Sequence, residues 1–563
     1  MKKQWNLKPK PNNHLVAKLQ ESLGVAKIIA ELLVQRDITT FEAAKTFFRP
    51  ELSHLHDPFL MKDMDSAVAR LSKAIQQGEN ILVYGDYDVD GTTAVSLMYS
   101  FIKSIHDKVE YYIPDRYTEG YGISFQGVDY AVSNQFSLII ALDCGIKAID
   151  KVDYAREKGV DFIICDHHRP GNSVPKAVAV LDPKQSDCLY PYKELSGCGV
   201  GFKLIQAYCQ NSEISFDKII PYLDFLAVSI AADIVPITGE NRVLAYYGLK
   251  QLNTNPRIGL KALIEVINRD KALTISDVVY GLAPRINAAG RIEHGAKSVE
   301  LMVQEDIEVA RLKAQVINQH NLKRRELDQS ITEEALKMII SNAKSTVVFH
   351  PGWHKGVVGI VASRLIESHY RPTIVLTENN GKLVGSARSV KGFDVYDAIN
   401  ACSEYVVQFG GHKYAAGLTL KKEDLEAFTA KFEAVVSETI QDEMLTPQIS
   451  IDAELNISEI DHNMYKILRQ MAPFGPGNMS PVFMSKKVID RGYGRKIGQE
   501  QNHLKLSVTD TNRAQFLDCI GFGMADMFEL IKDGQQFDIA YALEENEWNG
   551  NVNLQLHLKD ICS

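Results

Sequence analysis

Three aspartates at alternate positions, Asp86, Asp88 and Asp90, directly follow a short apolar run at Ile81–Gly85. Carboxylates crowded at the end of one strand concentrate negative charge, which a folded protein tolerates when cations neutralise it. The same spacing opens a calcium-binding helix-loop-helix, but that loop needs a bidentate Glu at its twelfth position. Counting from Asp86, that position is Leu97. The pattern therefore predicts a metal site that is not a calcium loop, with a solvated acidic turn as the alternative.

Polar residues end other apolar runs in the same way. Asp143 follows one such run, and the triplet Asp166, His167 and His168 follows the next. Asp233 ends an apolar helical run, where the helix dipole disfavours an unpaired carboxylate and a bound cation would reverse that penalty. These acids exceed the needs of one ion, and Asp143 is well placed to bridge two.

The types of these side chains indicate which metal they would bind. Carboxylates with one or two imidazoles suit manganese better than magnesium, which prefers oxygen ligands and water. The eight cysteines form no C-x-x-C pair, and the absence of thiolates argues against structural zinc. We therefore expect two divalent ions, with Mn²⁺ preferred over Mg²⁺. Metals paired at about 3.5–4 Å activate a water and stabilise the leaving oxygen in phosphoester hydrolysis.

Short strands alternating with helices must position these residues. Apolar runs are separated by helical stretches and lie at 81–85, 109–113, 137–142, 160–165 and 177–181. This alternation is typical of a parallel, doubly wound sheet. In such a sheet, ligands bind beyond the carboxyl ends of the strands. We therefore expect the acids and the histidines to meet at one edge.

Changes of pattern divide the 563 residues into five regions. Residues 1–75 are helical in pattern, and residues 76–296 form the α/β region. Residues 297–343 are charge-rich without Gly or Pro, which favours a long connecting helix. A second, smaller α/β region covers 344–445, and the short strands of 446–563 are typical of a small β-barrel.

Composition and charge limit the class of protein. A hydrophobic fraction of 45% with 24% charged residues is that of a globular protein. No apolar run reaches the roughly 18–20 residues of a membrane span, and the first residues carry no apolar signal core, so we expect a cytoplasmic protein with no membrane contact. The net charge is −9. Nucleic-acid binding would therefore need a local basic patch such as residues 486–505, which contain six Lys or Arg residues and two acidic residues. A solvated edge of the domain is the alternative explanation of this patch.

Several motifs together resemble those of the DHH phosphoesterase superfamily. Asp166-His167-His168 and the Gly-Asp-Tyr-Asp-Val-Asp-Gly segment at 85–91 carry the resemblance of the first α/β region. Segments 385–389 and 410–412 resemble the associated DHHA1 domain, while segment 282–291 and the barrel narrow the resemblance to single-strand-specific 5′ to 3′ exonucleases. The resemblance implies a doubly wound parallel-sheet DHH domain, a long connecting helix, a smaller α/β DHHA1 domain and a C-terminal OB-fold β-barrel.

The resemblance also implies roles for the acids and histidines. Six residues match metal ligands: Asp90, Asp143, His167 and Asp233 for one ion, and Asp88 and Asp143, with Asp86, for the second. His168 would lie beside the scissile phosphate and assist the leaving oxygen, which an imidazole can do near neutral pH. Asp166 either orients a ligand histidine or accepts hydrogen bonds at the strand end.

Further residues match contacts to the DNA. The forked donors of arginine suit a terminal 5′ phosphate, which would be gripped by Arg116, Ser386 and Arg388. Backbone amides at a glycine pair and a neighbouring imidazole offer more phosphate donors, unless the glycines only form a tight turn: Gly410, Gly411 and His412. Three more residues match positions that contact the DNA backbone: Arg285, Asn287 and Arg291. In the barrel, the candidates for base stacking and phosphate contact are Tyr493, Arg495, Lys496 and Phe522.

These features predict a metal-dependent exonuclease of single-stranded DNA that acts in recombination and repair. We expect a monomer whose partners are single-stranded DNA, a single-strand-binding protein and a helicase. A phosphodiesterase of short oligonucleotides or cyclic dinucleotides would use the same chemistry but usually needs no OB domain. A noncatalytic scaffold would have lost metal ligands, and all six expected positions are intact.

Overall fold

The computed structural model describes residues 3–511, 513–548 and 550–562. The chain divides into two compact units. Unit 1 comprises Met1–Lys45, Glu326–Met471 and Ser480–Ser563, and unit 2 comprises Thr46–Arg325 and Ala472–Met479. Each unit is therefore built from separate stretches of the chain, and each is described by itself.

The strands and helices follow the alternation seen in the sequence. In chain order, the strands are β1 (Gln4–Leu7), β2 (Ile81–Gly85), β3 (Val109–Tyr112), β4 (Leu138–Leu142), β5 (Asp161–Cys165), β6 (Ala179–Leu181), β7 (Thr346–Phe349), β8 (Thr373–Asn379), β9 (Lys382–Arg388), β10 (Val406–His412), β11 (Ala415–Leu420), β12 (Gln448–Ile451), β13 (Ala453–Glu454), β14 (Phe483–Asp490), β15 (Arg495–Ile497), β16 (His503–Thr509), β17 (Leu517–Gly521), β18 (Gln536–Trp548) and β19 (Asn551–Cys562).

The helices connect and cover these strands. In chain order, they are α1 (Asn13–Leu23), α2 (Lys27–Val34), α3 (Phe41–Phe48), α4 (Met64–Gln77), α5 (Val89–Lys103), α6 (Phe125–Ser133), α7 (Ile149–Glu157), α8 (Gly197–Asn211), α9 (Leu223–Ala232), α10 (Gly239–Thr254), α11 (Ile258–Ile267), α12 (Ile275–Asp277), α13 (Ala283–Ile292), α14 (Ala296–Met302), α15 (Ile307–Leu336), α16 (Val358–Ser368), α17 (Val395–Asn400), α18 (Leu425–Thr439) and α19 (His462–Gln470).

Unit 2 is organised around a parallel sheet of five strands in the order β3-β2-β4-β5-β6. Every neighbouring pair is parallel. Alternate residues of β2 enter different cores: Ile81 and Val83 pack with the helices that include α5 and α8, whereas Leu82 and Tyr84 pack with α6 and α7. Both faces of the sheet are thus covered by helices, as expected for a doubly wound fold.

The strand order places a crevice between β2 and β4. From β2 the chain first adds β3 on one side and then returns to add β4, β5 and β6 on the other. At this reversal the connections leave the strand ends in opposite directions, which opens a crevice where doubly wound sheets bind their ligands. The triple-aspartate segment follows β2, and Asp143 follows β4. The topology therefore delivers the predicted acids to the crevice.

Unit 1 contains a second, mixed sheet in the order β10-β11-β9-β8-β7. Strands β7 and β8 are parallel, and the other neighbouring pairs are antiparallel. Ile374 and Leu376 face a core that contains α17 and α18, while Val375 faces one that contains α16. This sheet forms the smaller α/β layer predicted from the sequence, and the long helix α15 precedes it in the chain.

The C-terminal strands of unit 1 close into a barrel. The sheet runs β13-β14-β18-β19-β17-β16-β15, and an additional pairing joins β14 to β16. Ile489 opposite Thr509 and Asp490 opposite Val508 make this closure. A ring of five strands, β14, β18, β19, β17 and β16, is the architecture of an OB fold. The fold class predicted from the sequence is therefore confirmed.

The N-terminal region departs from its helical pattern at one place. Strand β1 pairs in parallel with β12, so that Gln4 opposes Gln448 and Leu7 opposes Ile451. The sequence prediction missed this strand because four residues with such a distant partner carry no local periodicity. Among the described residues, none of the helices is long and apolar enough to cross a membrane.

Candidate metal centre

The turn after β2 is built so that three carboxylates can approach one another. Asp88 is the N-cap of α5, and its side chain accepts a hydrogen bond from the backbone N–H of Gly91 at 3.0 Å. A Cβ on Gly91 would lie only 2.4 Å from the backbone oxygen of Asp86. Glycine is therefore required for the turn, which buries Asp86 and Asp90 at the end of the sheet.

The carboxylate of Asp90 is held by the start of helix α8. Its two oxygens accept hydrogen bonds from the backbone N–H groups of Gly197 at 2.7 Å and Cys198 at 2.9 Å. The hydroxyl of Ser229 on α9 lies 2.6 Å from the same carboxylate. These donors stabilise the charge of Asp90 and fix its orientation, because helix N-termini favour anions.

His167 lies at the centre of the buried acids. Its Nε2 atom is 3.2 Å from Asp143, 3.7 Å from Asp90 and 3.5 Å from Asp233, measured to a carboxylate oxygen of each. Oxygen and nitrogen ligands lie about 2 Å from a bound ion and hence roughly 3–4 Å from one another. Two groups of side chains in the described part of the chain have this spacing: Asp90 with His167 and Asp233, and Asp143 with His167 and His168.

Several buried atoms of this cluster have no hydrogen-bond partner among the described residues. They are Asp86 Oδ2, Asp143 Oδ1, His167 Nδ1 and His167 Nε2. Buried polar atoms without partners are rare and costly in native proteins. A buried set of carboxylate and imidazole donors of this kind fits divalent metal ions.

The acids also raise the pKa of one another when no cation is present. Burial and the charge of Asp88 raise the pKa of Asp86 to about 8, and burial with the charges of Asp90 and Asp88 raises the pKa of Asp233 to about 8. The pKa of Asp143 is raised well above its ordinary value by burial and by the charges of its neighbours, and that of Asp88 is raised as well. A divalent cation would stabilise the ionised forms and reverse these shifts.

Asp166 is occupied by hydrogen bonds and orients His168. Its carboxylate accepts the backbone N–H groups of Ile146, His167 and His168, and it accepts His168 Nδ1 at 2.7 Å. Burial alone would raise the pKa of Asp166. The hydrogen bond from the His168 ring, the charge of that ring and the backbone N–H donors together lower this pKa to about 2. The strand-end acceptor weighed for Asp166 is present in the structure. The histidine ring that Asp166 holds is that of His168, and not that of His167, the expected metal ligand.

The outer nitrogen of His168 faces an exposed tyrosine. Tyr121 Oη lies 3.1 Å from His168 Nε2, and the two rings meet edge to face. Burial alone would lower the pKa of His168, but the hydrogen bond and charge of Asp166 raise it to about 9. Because Nδ1 is held by Asp166, a proton on Nε2 is the one that could be given to a reacting oxygen.

The structure also adds residues that the sequence did not single out. Tyr121 and Ser229 are the clearest cases, because nothing in their local sequence sets them apart from other polar residues. Asp182 could have been found, since it follows β6 as the other acids follow their strands. It is fully buried, and burial raises its pKa to about 7.

Arg116, one of the predicted DNA contacts within unit 2, lies close to the segment that carries the metal-centre aspartates. The guanidinium of Arg116 stacks over the ring of Tyr87 at 4.7 Å from its centroid. Arg285, Asn287 and Arg291 lie on α13, and Arg285 donates to the side chain of Asn318 at 2.9 Å. Tyr87 stands between the metal-centre aspartates in sequence, so Arg116 is oriented by the segment that carries those acids.

The predicted phosphate contacts of unit 1 lie together on the mixed sheet. Gly417 of β11 opposes Ser386 of β9 on one side and Gly410 of β10 on the other. Arg388 donates to the hydroxyl of Ser386 at 2.7 Å. A Cβ on Gly359, in the first turn of α16, would lie 2.9 Å from the Arg388 guanidinium. Ser386 and Arg388 therefore face a helix N-terminus, which favours an anion.

The glycine pair and the histidine end strand β10. Gly411 has φ +146°, and a Cβ there would lie 2.3 Å from the backbone oxygen of Ala415, so a glycine is needed. His412 Nδ1 lies 3.3 Å from the backbone nitrogen of Tyr414 across the turn. The tight-turn interpretation is thus present in the structure, and it leaves the ring of His412 exposed.

The barrel exposes the aromatic side chains expected of a single-strand platform. Tyr493 is 60% exposed and Phe522 is 58% exposed. The ring of Phe522 packs edge to face against His503 and His557. Arg495 and Lys496 of β15 are exposed as well. Exposed aromatic and basic side chains are the features that stack on bases and follow phosphates.

Three family descriptions match this chain. They are the DHH family, N-terminal domain, over residues 80–230, the DHHA1 domain over residues 337–438, and the RecJ OB domain over residues 451–560.

Relatives of known name match most or all of the chain. The single-stranded-DNA-specific exonuclease RecJ of Bacillus subtilis is 37% identical over 100% of this chain and 71% of the relative. The enzyme of the same name from Escherichia coli is 32% identical over 89% of this chain and 90% of the relative. Among solved structures, RecJ from Thermus thermophilus in complex with Mn²⁺ has a TM-score of 0.87 at 26% identity and covers 100% of this chain and 79% of its own.

Proposed function

This chain belongs to the RecJ family of single-stranded-DNA-specific exonucleases, and from that premise we propose that it removes nucleotides from the 5′ end of single-stranded DNA in recombination and repair. The carrying observation is the buried cluster at the β2–β4 crevice, where imidazole and carboxylate atoms have no hydrogen-bond partner. A structural role alone would leave these atoms costly and unexplained. Bound divalent ions would give a partner to the carboxylate oxygens and to Nε2 of His167.

The ligands would be shared between two divalent ions, with Mn²⁺ preferred over Mg²⁺. Six residues would hold them: Asp90, Asp143, His167 and Asp233 for one ion, and Asp88 and Asp143, with Asp86, for the other. When bound, the ions activate a water and neutralise the charge that develops on the phosphate. The hydrogen bonds from Gly197, Cys198 and Ser229 keep Asp90 aimed at its ion.

His168 would act on the leaving oxygen. The carboxylate of Asp166 lies 2.7 Å from Nδ1 of His168, and this contact fixes the orientation of the ring. Nε2 of His168 therefore stays near the hydroxyl of Tyr121. A proton at Nε2 can pass to the 3′ oxygen of the departing nucleotide as its bond to phosphorus breaks. Asp166 itself keeps its negative charge throughout, because its low pKa leaves it ionised.

Both units would contact the phosphates of the strand. In unit 1, the terminal 5′ phosphate would be bound by Ser386 and Arg388 beside the start of α16, with the backbone amides of Gly410 and Gly411 and the ring of His412 as further donors. In unit 2, Arg116 is a further residue proposed for the terminal 5′ phosphate, and the α13 residues Arg285, Asn287 and Arg291 would bind phosphates of the DNA backbone. The barrel would bind more distant nucleotides through Tyr493, Phe522 and the basic residues of β15.

A phosphodiesterase of short oligonucleotides or cyclic dinucleotides is the alternative. It would use the same acids and histidines. Residues 451–560 match a RecJ OB domain, and such a surface serves a long single strand better than a dinucleotide. The exonuclease is therefore the better-supported function.

Digestion of end-labelled DNA separates these two functions. The substrates are long single strands labelled at the 5′ or the 3′ end, the matching duplex, and a linear and a cyclic dinucleotide, each with Mn²⁺ or Mg²⁺. We expect release of 5′ nucleotides from single strands and little attack on the duplex. Cleavage of dinucleotides alone, or equal attack on duplex, would contradict the proposal. An Asp143→Ala variant should be inactive, because it removes the ligand shared by both ions.

The partners follow from the same proposal. A single-stranded substrate inside a cell is produced by a helicase and covered by a single-strand-binding protein, so we propose both as partners of a monomeric, cytoplasmic enzyme. Size-exclusion chromatography with light scattering tests the monomer. Co-sedimentation with DNA already coated by the binding protein tests the recruitment.

A further inference from the structure

A short C-terminal segment belongs to unit 2 although the chain on either side of it belongs to unit 1. We call this segment, Ala472–Met479, the strap. It forms a tight turn in which Gly475 and Asn478 exchange two backbone hydrogen bonds at 3.0 and 2.9 Å. The buried side chain of Asn478 donates to the backbone oxygen of Pro473 at 2.9 Å. The turn is therefore braced internally by one side chain.

A buried arginine of unit 2 fixes one end of the strap. Arg242 on α10 donates to the backbone oxygens of Ala472 at 3.0 Å and Pro473 at 3.3 Å. The same guanidinium donates to the oxygen of Phe47 at 2.9 Å and stacks on its ring at 3.8 Å from the centroid. Buried arginines are retained where several donors find partners, so this group ties the strap to unit 2.

The middle of the strap presses against the loop that follows Asp233. We call residues 234–238 the Asp233 loop. The N–H of Ile237 donates to the oxygen of Pro476 at 2.6 Å. A Cβ on Gly475 would lie 2.6 Å from Cγ1 of Ile237, and one on Gly477 would lie 2.9 Å from Cγ2 of Thr238. The two glycines therefore allow the strap to approach the loop more closely than any other residue could.

The Asp233 loop determines where the carboxylate of Asp233 points. On its helical side, the N–H of Asp233 is held by the oxygen of Ser229 at 2.9 Å. On its other side, Ile234 adopts φ +61°, an unfavourable conformation for a β-branched residue that its surroundings must hold. Further along the loop, the backbone oxygen of Pro236 accepts hydrogen bonds from the side chains of Tyr192 and Asn241. The next residue, Ile237, is held by its hydrogen bond to the strap.

We propose that the strap is a positioning element of the metal centre, which holds the Asp233 loop so that Asp233 faces His167. This inference rests on the proposed function, because it concerns a ligand of the same centre. A displaced strap would release the loop, and the carboxylate would lose its distance of 3.5 Å to His167 Nε2. The strap thus acts on the affinity for the ion, through Asp233, and not on the DNA.

The test is a Gly475→Ala substitution in the full-length protein. The new methyl group collides with Ile237, so the loop must shift while every metal ligand remains. Removing an orienting partner of a ligand weakens metal binding by about 10- to 100-fold, and we expect about a tenfold loss. Free Mn²⁺ is measured by electron paramagnetic resonance during titration without DNA. Affinity for single-stranded DNA in EDTA should be unchanged, and kcat should recover at saturating Mn²⁺.

A second pair of variants distinguishes the effect of the steric clash from the effect of backbone strain. Gly477→Ala places a methyl group against Thr238 at φ +73°, whereas Gly534→Ala has φ +70° and no neighbour within 4 Å. Only the first should weaken Mn²⁺ binding. Should Gly475→Ala not fold, Asn478→Ala removes the brace of the turn and is expected to act in the same direction. Adding Ile237→Ala to Gly475→Ala removes the clash and should restore the affinity.

The outcomes distinguish this inference from the proposed function. If the wild-type protein takes up no Mn²⁺, the proposed function is wrong. If the wild-type protein binds Mn²⁺ and the folded strap variants bind it equally well, only the positioning role is wrong. Equal losses in Gly477→Ala and Gly534→Ala would also overturn it, because strain alone would then explain the effect.

Discussion

Replacing Gly197 by alanine should disrupt the metal centre without removing any ligand. Gly197 is the first residue of α8, and its N–H donates to Asp90. A Cβ there would lie 2.5 Å from the Cβ of Asp143 and 2.6 Å from its Oδ1. The Gly197→Ala variant keeps the N–H donor, so its effect comes from the clash between the new methyl group and Asp143.

The size of the effect follows from the geometry. Ordinary van der Waals contact begins near 3.4 Å, so the two Cβ atoms would be about 0.9 Å too close. Asp143 cannot turn away, because its own Cβ and Cα take part in the clash. Either Asp143 or the start of α8 must then move by nearly 1 Å. A misplacement of about 1 Å costs about 10²-fold in rate, which corresponds to about 2.7 kcal/mol.

The assay compares this variant with Gly199→Ala two residues along the same helix. A Cβ on Gly199 meets Leu195 and Ser196 at 3.4 Å, which is ordinary contact. Both changes carry a similar gain in helix propensity, of roughly 0.5–1 kcal/mol. The kcat/KM for 5′ nucleotide release and the Mn²⁺ affinity are measured for both, with thermal unfolding in EDTA as a check of folding.

We expect kcat/KM to fall about 100-fold in Gly197→Ala and to change less than about twofold in Gly199→Ala. A folded Gly197→Ala variant with a normal rate and normal Mn²⁺ affinity would refute the placement of Asp143 at the reacting centre. Equal losses in both variants would show instead that α8 tolerates no side chain at either position.

Three further predictions follow from the same centre. Ser229→Ala removes the hydroxyl 2.6 Å from Asp90 and should weaken Mn²⁺ binding by about tenfold. Ser96→Ala, whose hydroxyl donates to the backbone oxygen of Thr92, should not. Asp166→Asn removes the charge that raises the pKa of His168, so the alkaline limb of the pH–rate profile should move to lower pH. The number of Mn²⁺ ions bound should not change, and the loss of one ion would show that Asp166 is a metal ligand. In EDTA, the protein should unfold at a lower temperature as the pH rises from about 5 to 8. The cause is that Asp86 and Asp233 have folded-state pKa values near 8, above those of the unfolded chain, and the raised pKa of His168 acts in the same direction. Saturating Mn²⁺ should abolish this dependence on pH, and a dependence of opposite sign would contradict the raised pKa values.

The parallel sheet and its acidic edge could be predicted because their signals are local. Apolar runs bounded by helices give the strands, and strand ends in a doubly wound sheet meet at one edge. Asp143 and His167 were therefore expected together, and the structure places them 3.2 Å apart. The roles of the individual residues remain predictions until the variants are measured.

Other parts of the site depend on contacts between distant segments and leave no local pattern. Ser229 was part of an ordinary apolar helix in the sequence, and only its approach to Asp90 gives it a function. The strand at Gln4–Leu7 was missed for the same reason, since its partner lies at Gln448–Ile451. For Asp166, the resemblance implied that it orients a ligand histidine, whereas its side chain holds His168, which is not among the expected ligands.

The position of the strap in the chain bears on the order of events during synthesis. Thr46–Arg325 leaves the ribosome well before the strap, and roughly 150 residues must follow before Ala472–Met479 emerges. At about 5–20 residues per second, this delay is about 7–30 s. On the proposed role of the strap, the nascent nuclease binds its ions weakly during this interval. A chain that terminates before the strap therefore lacks both the barrel and a fully formed metal centre, so translation itself delays the completion of the metal centre until the strap has been made.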